Sequence, residues 1–295
     1  MNAILGIDAA WTPRHPSGVA LLRQNDSRDW ECVGVESSYA HFLAHRLDRA
    51  QNHERAQFPA ADLLDTAKEL AGNEVSLVVA DIPLSTKPIT GRRSADNKIS
   101  AVFGGRGCSA HSPSANRPGL ISESIRKGFE ERGFSLAINQ ASLPKRALIE
   151  SYPHPALLSL MKASYRVPYK VGKSKTYYRK LGLAERLEKI AAKLEDIVAA
   201  LSSTISGIEI RIPKGQSSFA ALKPVEDKID ALVCAWVGIQ VLEGRAMSIG
   251  DNEGAIWLPA DLLPSARTSE WSNYLASGAQ ASEEFMDGIE DLPVE

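Results

Sequence analysis

Cysteine is scarce in this chain of 295 residues: Cys32, Cys108 and Cys234 are three, odd in number and far apart. Such a set excludes a thiolate zinc cluster and a disulfide framework, and it suits a reducing compartment. Long apolar runs are missing too, since no stretch approaches the roughly 20 residues a membrane span needs. The N-terminus lacks a basic segment and meets Asp8 too soon for a secretory signal. A cytoplasmic protein without a membrane partner is the expectation. Charge of one sign is not in excess either: 34 Lys and Arg against 36 Asp and Glu leave a formal net charge of −2. The chain is therefore no globally basic coat for nucleic acid, and any polyanion site has to be a local patch. No internal repeat is visible.

The remaining composition, 44% apolar and 24% charged, is that of an ordinary globular protein. "AILGI" reads as a buried strand that runs into Asp8, and a turn with Pro13, Pro16 and Gly18 leads to a second strand over 18–23. "WECVGVES" (30–37) reads as a third, so the chain opens with an antiparallel meander. Pro59 starts a helix that ends at Gly72, and "VSLVVADIPLS" is a continuous apolar run of the kind found in a central strand. It ends in Asp81. The stretch 86–120, rich in turn formers and basic residues, reads as a long functional loop. A further strand ends in Glu150; helices are expected over 121–133, 155–164, 176–203 and 224–244, and strands at "IEIRI" (208–212) and "AIWLP" (255–259). This order indicates an α/β domain with a mixed sheet. One domain over 1–262 and an acidic, peripheral tail over 263–295 are expected.

Three apolar runs thus end in acids: Asp8, Asp81 and Glu150. In an open α/β sheet ligands gather at the carboxyl ends of the strands, where these acids converge if their strands lie parallel and adjacent. The C-terminal helix adds Asp227 and Asp230 on one face. Carboxylates crowded together raise one another's pKa, and hard divalent cations relieve that repulsion. Oxygen-only ligation favours Mg²⁺ or Mn²⁺, and two such ions about 3.5–4 Å apart can drive phosphodiester cleavage. The bland alternative makes each acid a turn former, a helix cap or, for Glu150, the partner of an arginine.

At these residues the chain resembles a known family. "GIDAAWTPRHPSGVAL", "VADIPLS", "GRRSADNK", "ESYPHPAL" and "KPVEDKIDALVCAW" are similar to the domain-of-unknown-function 429 family, regarded as predicted nucleases of the ribonuclease H-like fold, over roughly residues 3 to 260. The resemblance implies a five-stranded mixed sheet flanked by helices, with a helical insertion and a C-terminal extension. Its first three strands run antiparallel, and the fourth and fifth run parallel to the first. It also implies that Asp8, Asp81, Asp227 and Asp230 ligate metal, the last two as paired acids on the final helix in an arrangement similar to that of Holliday-junction resolvases; the strand-end pattern adds Glu150 as a further catalytic candidate.

Beyond the acids, Arg92 and Arg93 read either as a phosphate clamp or as a salt-bridged loop. "GGRG" (104–107) lacks the Lys-Ser/Thr of a nucleotide P-loop. Ser112, Ser114 and Arg117 suit a cleft lining or simple turn chemistry, while His15, His154, Trp11 and Cys234 read as structural. "YRVPYKVGKSKTYYRK" (165–180) interleaves cations with tyrosines, which suits a phosphate backbone and unpaired bases, and puts Lys170, Lys173 and Lys175 forward as substrate-binding residues. The leading function is metal-dependent phosphodiester hydrolysis of DNA or RNA. The alternatives are a phosphotransferase or ATPase of the actin and sugar-kinase type, which lacks its expected duplicated domain and second phosphate loop here, and a non-catalytic nucleic-acid or protein scaffold.

Overall fold

Strand β1 (Ala3–Asp8) is covered on both faces up to its last residue, which is why it reads as an unbroken apolar run. It pairs antiparallel with β2 (Gly18–Gln24), which pairs antiparallel with β3 (Trp30–Glu36). Helix α1 (Tyr39–Leu43) starts at Ser38, whose hydroxyl accepts from the His41 amide. Helix α2 (Ala60–Ala71) ends at Gly72 in the left-handed conformation, and β4 (Val75–Asp81) then runs parallel to β1. The structure is a computed structural model that describes residues 2–45, 58–139, 141 and 143–263. The acidic tail expected over 263–295 lies, after its first residue, outside the described residues.

The stretch 86–120 is not a plain loop. It holds α3 (Ser94–Phe103), started by the Asp96 carboxylate accepting from the backbone amide of Arg93 at 2.9 Å. Helix α4 (Gly119–Glu130) and the short β5 (Ser135–Leu136) lead to β6 (Ala147–Ser151) and α5 (Pro153–Leu160). The helix expected over 176–203 is two, α6 (Ser174–Tyr177) and α7 (Leu183–Ser202), with the Glu185 carboxylate capping the Gly182 amide between them. Strand β7 (Ile205–Ser206) pairs with β3 just before "IEIRI", which is itself no strand. The alternation there arises because Ile208, Ile210 and Ile212 pack on the core from irregular chain without a ladder. Helix α8 (Lys223–Leu242), β8 (Ala246–Gly250) and β9 (Ala255–Pro259) follow.

The sheet order is β7-β3-β2-β1-β4-β6-β9-β8, with β5 attached to β6. Its centre, β3-β2-β1-β4-β6, has the order and directions the resemblance implied. Among the described residues the sheet has nine strands rather than five, because β5, β7, β8 and β9 extend it. Each face carries a core, one under α3, α5, α7 and α8, the other under α1, α2 and α4. Helix α8 lies so close to β1 that a Cβ on Gly6 would stand 2.2 Å from the Ala231 carbonyl oxygen. Only glycine permits that approach. No helix among the described residues is long and apolar enough to cross a membrane.

Candidate functional site

The α8 face of the sheet fixes where the strand-end acids point. Gly6 touches α8, and side chains alternate along a strand, so Asp8 two residues on faces α8 as well. On β4, Leu77 and Val79 meet Gly238 of α8, which puts Asp81 on the same face. Asp8 and Asp81 are direct neighbours in the parallel register. No hydrogen-bond donor or cation among the described residues pairs with either carboxylate. Burial, then Asp230, Asp81 and Asp227, holds the Asp8 carboxyl well above the usual range against the pull of Lys170. Burial pushes Asp81 up to about 7, with Lys170 opposing and Asp230 and Glu150 assisting. Four of the predicted acids therefore share one electrostatic neighbourhood.

The first turns of α8 supply the rest. Asp230 is fully buried; its Oδ1 accepts from the Tyr169 hydroxyl at 2.5 Å and its Oδ2 from the Lys170 ammonium at 2.5 Å. Lys170 also lies 3.4 Å from Glu226, whose other oxygen accepts from the Val171 amide at 2.6 Å. Lys223 pairs with both Glu226 and Asp227, at 2.7 and 2.6 Å. Burial works against the charge on Lys170, but Asp230, Tyr169 and Glu226 outweigh it and keep the ammonium protonated. The segment 167–171 is thus a strap across the N-terminal end of α8, tied down by ion pairs. Among the site groups, Lys223 and Glu226 escaped the sequence reading, and Tyr169 was read only as one of the tyrosines interleaved in 165–180. The signal for Glu226 was its place beside Asp227 in "VEDKID"; that for Lys170 and Tyr169 as site-closing groups is a contact 60 residues away, invisible locally.

Glu150 is a correction to the expected set. In β6, Ile149 belongs to the α8-side core and Leu148 to the opposite one, so Glu150 faces away from α8. There its carboxylate accepts two bonds from Arg93, both 2.7 Å, and one from the Leu84 amide at 2.7 Å. The β6 residue on the α8 side is Ser151, next along from Ile149 on that face. It is buried, and its hydroxyl has no hydrogen-bond partner among the described residues. A row Asp8, Asp81, Ser151 thus crosses three adjacent strand ends.

The arginines are engaged inside the protein, which favours the salt-bridged-loop reading over the phosphate clamp. Arg93 joins Glu150 to Asp96; burial opposes its charge, but Glu150 and Asp96 together hold the guanidinium protonated above its usual range. Arg92 donates to Asn97, Ser100 and Ser112 side chains and to the Ala110 and Asp96 carbonyls, stitching 110–112 to α3. Lys170 is likewise committed, as the counter-ion of Asp230, whereas Lys173 and Lys175 are exposed.

Among the described residues no three His, Cys, Asp or Glu side chains form one ligand group. The expected set Asp8, Asp81, Asp227 and Asp230 is therefore not a closed cage: Asp230 is taken by Lys170 and Tyr169, and Asp227 by Lys223. Asp8 and Asp81 remain as two oxygen ligands side by side without donors among the described residues. That pair fits Mg²⁺ or Mn²⁺, which bind through one or two carboxylates and take their other ligands from water and substrate.

A search of curated proteins finds no match to the chain. Among solved structures, the chain has a distant likeness to the yeast mitochondrial Holliday junction resolvase, with 9% sequence identity and a TM-score of 0.30, covering 81% of this chain and 80% of that one. The family model described as "Protein of unknown function (DUF429)" matches residues 6–255, and the chain belongs to that family.

Proposed function

We propose that this protein hydrolyses phosphodiester bonds of nucleic acid at the α8-side edge of the sheet. The observation that carries this reading is the in-register pair Asp8 and Asp81, partly buried, on one face and without a donor among the described residues. Two such carboxylates cost free energy unless a cation joins them. Asp8 and Asp81 would hold Mg²⁺ or Mn²⁺, which when bound supplies Lewis-acid charge at a phosphoryl oxygen. The chain's own groups set the rest. Tyr169 and Lys170 fix the Asp230 carboxylate and offset its charge, so that it overhangs the pair in one orientation. Lys223 does the same for Asp227. The Ser151 hydroxyl, buried beside Asp81, is free to donate to a water or a substrate oxygen at the strand ends.

Incubation of the protein with Mg²⁺ or Mn²⁺ and single-stranded, duplex, hybrid and branched substrates, with ATP hydrolysis followed alongside, tests the reading. Cleavage that is abolished by EDTA, by Asp8→Asn and by Asp81→Asn is the expected result. ATP hydrolysis without strand cleavage would assign the site to phosphotransfer chemistry instead.

A further inference from the structure

A chain of nearly balanced charge keeps its acids out of two long segments. Residues 97–122 contain Lys98, Arg106 and Arg117 and no acid; residues 151–184 contain seven Lys and Arg and no acid. The fold brings these two segments together. The Arg106 guanidinium donates to the Ala163 and Ser164 carbonyls at 2.9 and 3.1 Å, and the Arg166 amide donates to the Arg106 carbonyl at 2.9 Å. Arg166 in turn donates to the Gly107 carbonyl at 3.2 Å and to His154 Nε2 at 2.6 Å. Every one of these acceptors is neutral: three are carbonyls of the seam itself, a fourth is that of Gly107, and burial keeps the His154 imidazole from protonating. The side-chain charges that act most strongly on His154 include Arg166, Lys170 and Lys173, all positive. Two guanidinium charges thus lie at this seam with no carboxylate of the described residues bonded to them, a state that favours an external anion.

Between those arginines stands Tyr165, 62% exposed although its neighbours Val167 and Tyr169 are buried. Its ring lies on Gly107, where an added Cβ would come within 2.7 Å of Cζ. The phenol end of the ring (Cζ, Oη and Cε1) therefore lies against bare backbone, while most of the side chain stays open to solvent. Four residues on, Tyr169 bonds Asp230, so the Cα atom of Tyr165 lies at most about 14 Å from that of a residue in contact with the carboxylate edge. That distance corresponds to about four stacked nucleotides.

We infer that Tyr165, seated on Gly107 between Arg106 and Arg166, is a stacking platform for an unpaired base, and that the strand carrying it runs over the two acid-free segments toward Asp8 and Asp81. The inference rests on the phosphodiesterase reading for its choice of polymer and adds to it a substrate class: strands with unpaired nucleotides beside the scissile phosphate. Aromatic rings bind bases of any sequence, and cations on either side track the phosphates.

The test is fluorescence anisotropy of the full-length protein with a labelled single-stranded oligonucleotide, a duplex and a fully abasic strand, in EDTA, compared at one low salt concentration and then over a salt series, alongside cleavage assays in Mg²⁺ and Mn²⁺. Tyr165→Ala is expected to weaken single-strand binding by about 5- to 100-fold, Tyr165→Phe by less than about 2-fold, since the ring is what stacks. On duplex and abasic strands wild type and Tyr165→Ala should bind alike. The slope of log K against log salt should not change in Tyr165→Ala, because no phosphate contact is removed. Equal single-strand affinity of wild type and Tyr165→Ala, an equal loss on abasic strands, or no binding of any strand would overturn the platform. Cleavage by wild type with unaltered binding in Tyr165→Ala would leave the phosphodiesterase reading standing and remove the platform alone. Tyr165-dependent binding without cleavage in either metal would do the reverse.

Discussion

The ammonium of Lys170 lies 2.5 Å from Oδ2 of Asp230, a carboxylate with no solvent exposure that stands 60 residues further along the chain. A lysine from the basic run 165–180 has become an internal cation of the acidic site. Its charge offsets part of the repulsion among Asp230, Asp8 and Asp81, all three of which feel it.

Lys170→Met should therefore destabilise the metal-free protein by about 3–5 kcal/mol, since Asp230 would be left buried and uncompensated. Mg²⁺ or Mn²⁺ should raise the Tm of the variant more than that of wild type, because the cation replaces part of the missing charge. Thermal unfolding with and without metal measures both effects. A Tm equal to that of wild type in EDTA would show that the pair carries no stability.

Asp81 gives a pH dependence with a definite sign. Its folded pKa of about 7 lies above its ordinary value of 3.8, so the folded state holds the proton more tightly. The stability from this group is complete below about pH 4 and is lost as pH rises through 7. Asp81→Asn, which cannot ionise, should match wild type near pH 4 and exceed it near pH 8 in EDTA, by about 4 °C or more in Tm. Saturating Mg²⁺ should shrink that gap. A constant difference between the two proteins across pH 4–8 would remove Asp81 from the buried acidic site.

Arg93 separates a structural role from a phosphate clamp. Arg93→Ala would leave Glu150 and Asp96 buried without their shared cation and should cost about 3–5 kcal/mol in urea unfolding. Glu150→Gln in the Arg93→Ala background should recover part of the loss, because one stranded charge disappears. A clamp would instead raise KM and leave the urea midpoint unchanged.

Lys173 and Lys175 are exposed lysines of the basic run and remain candidates for phosphate contact. Changing both to Ala should lower the salt slope of nucleic-acid binding by about 2 in magnitude, near one per phosphate contact. Affinity should fall by a similar factor for different sequences. A slope equal to that of wild type would return both residues to a solvated surface.

Local pattern carried the central strands, the C-terminal helix and the acids that end β1 and β4, because burial on both faces leaves an unbroken apolar run and a terminal carboxylate interrupts it visibly. The membership in the family was legible for the same reason, through motifs clustered at those ends. The helix Ser94–Phe103 was hidden because its capping carboxylate, Asp96, sits among turn formers that mask it. Strands of two residues, Ser135–Leu136 and Ile205–Ser206, are too short to show any period. Glu150 shows the limit most clearly: Asp81 and Glu150 both end strands, yet an offset of one residue in register turns Glu150 to the other face of the sheet, where Arg93 holds it. Composition placed cations and acids at nearly equal number, but which cation meets which acid is a matter of distance, and distance is set by the fold. Sequence alone thus determined the strands and the acids at their ends; only tertiary packing decided that Lys170 enters the acidic site, that Glu150 leaves it, and that the acid-free segments meet around Tyr165.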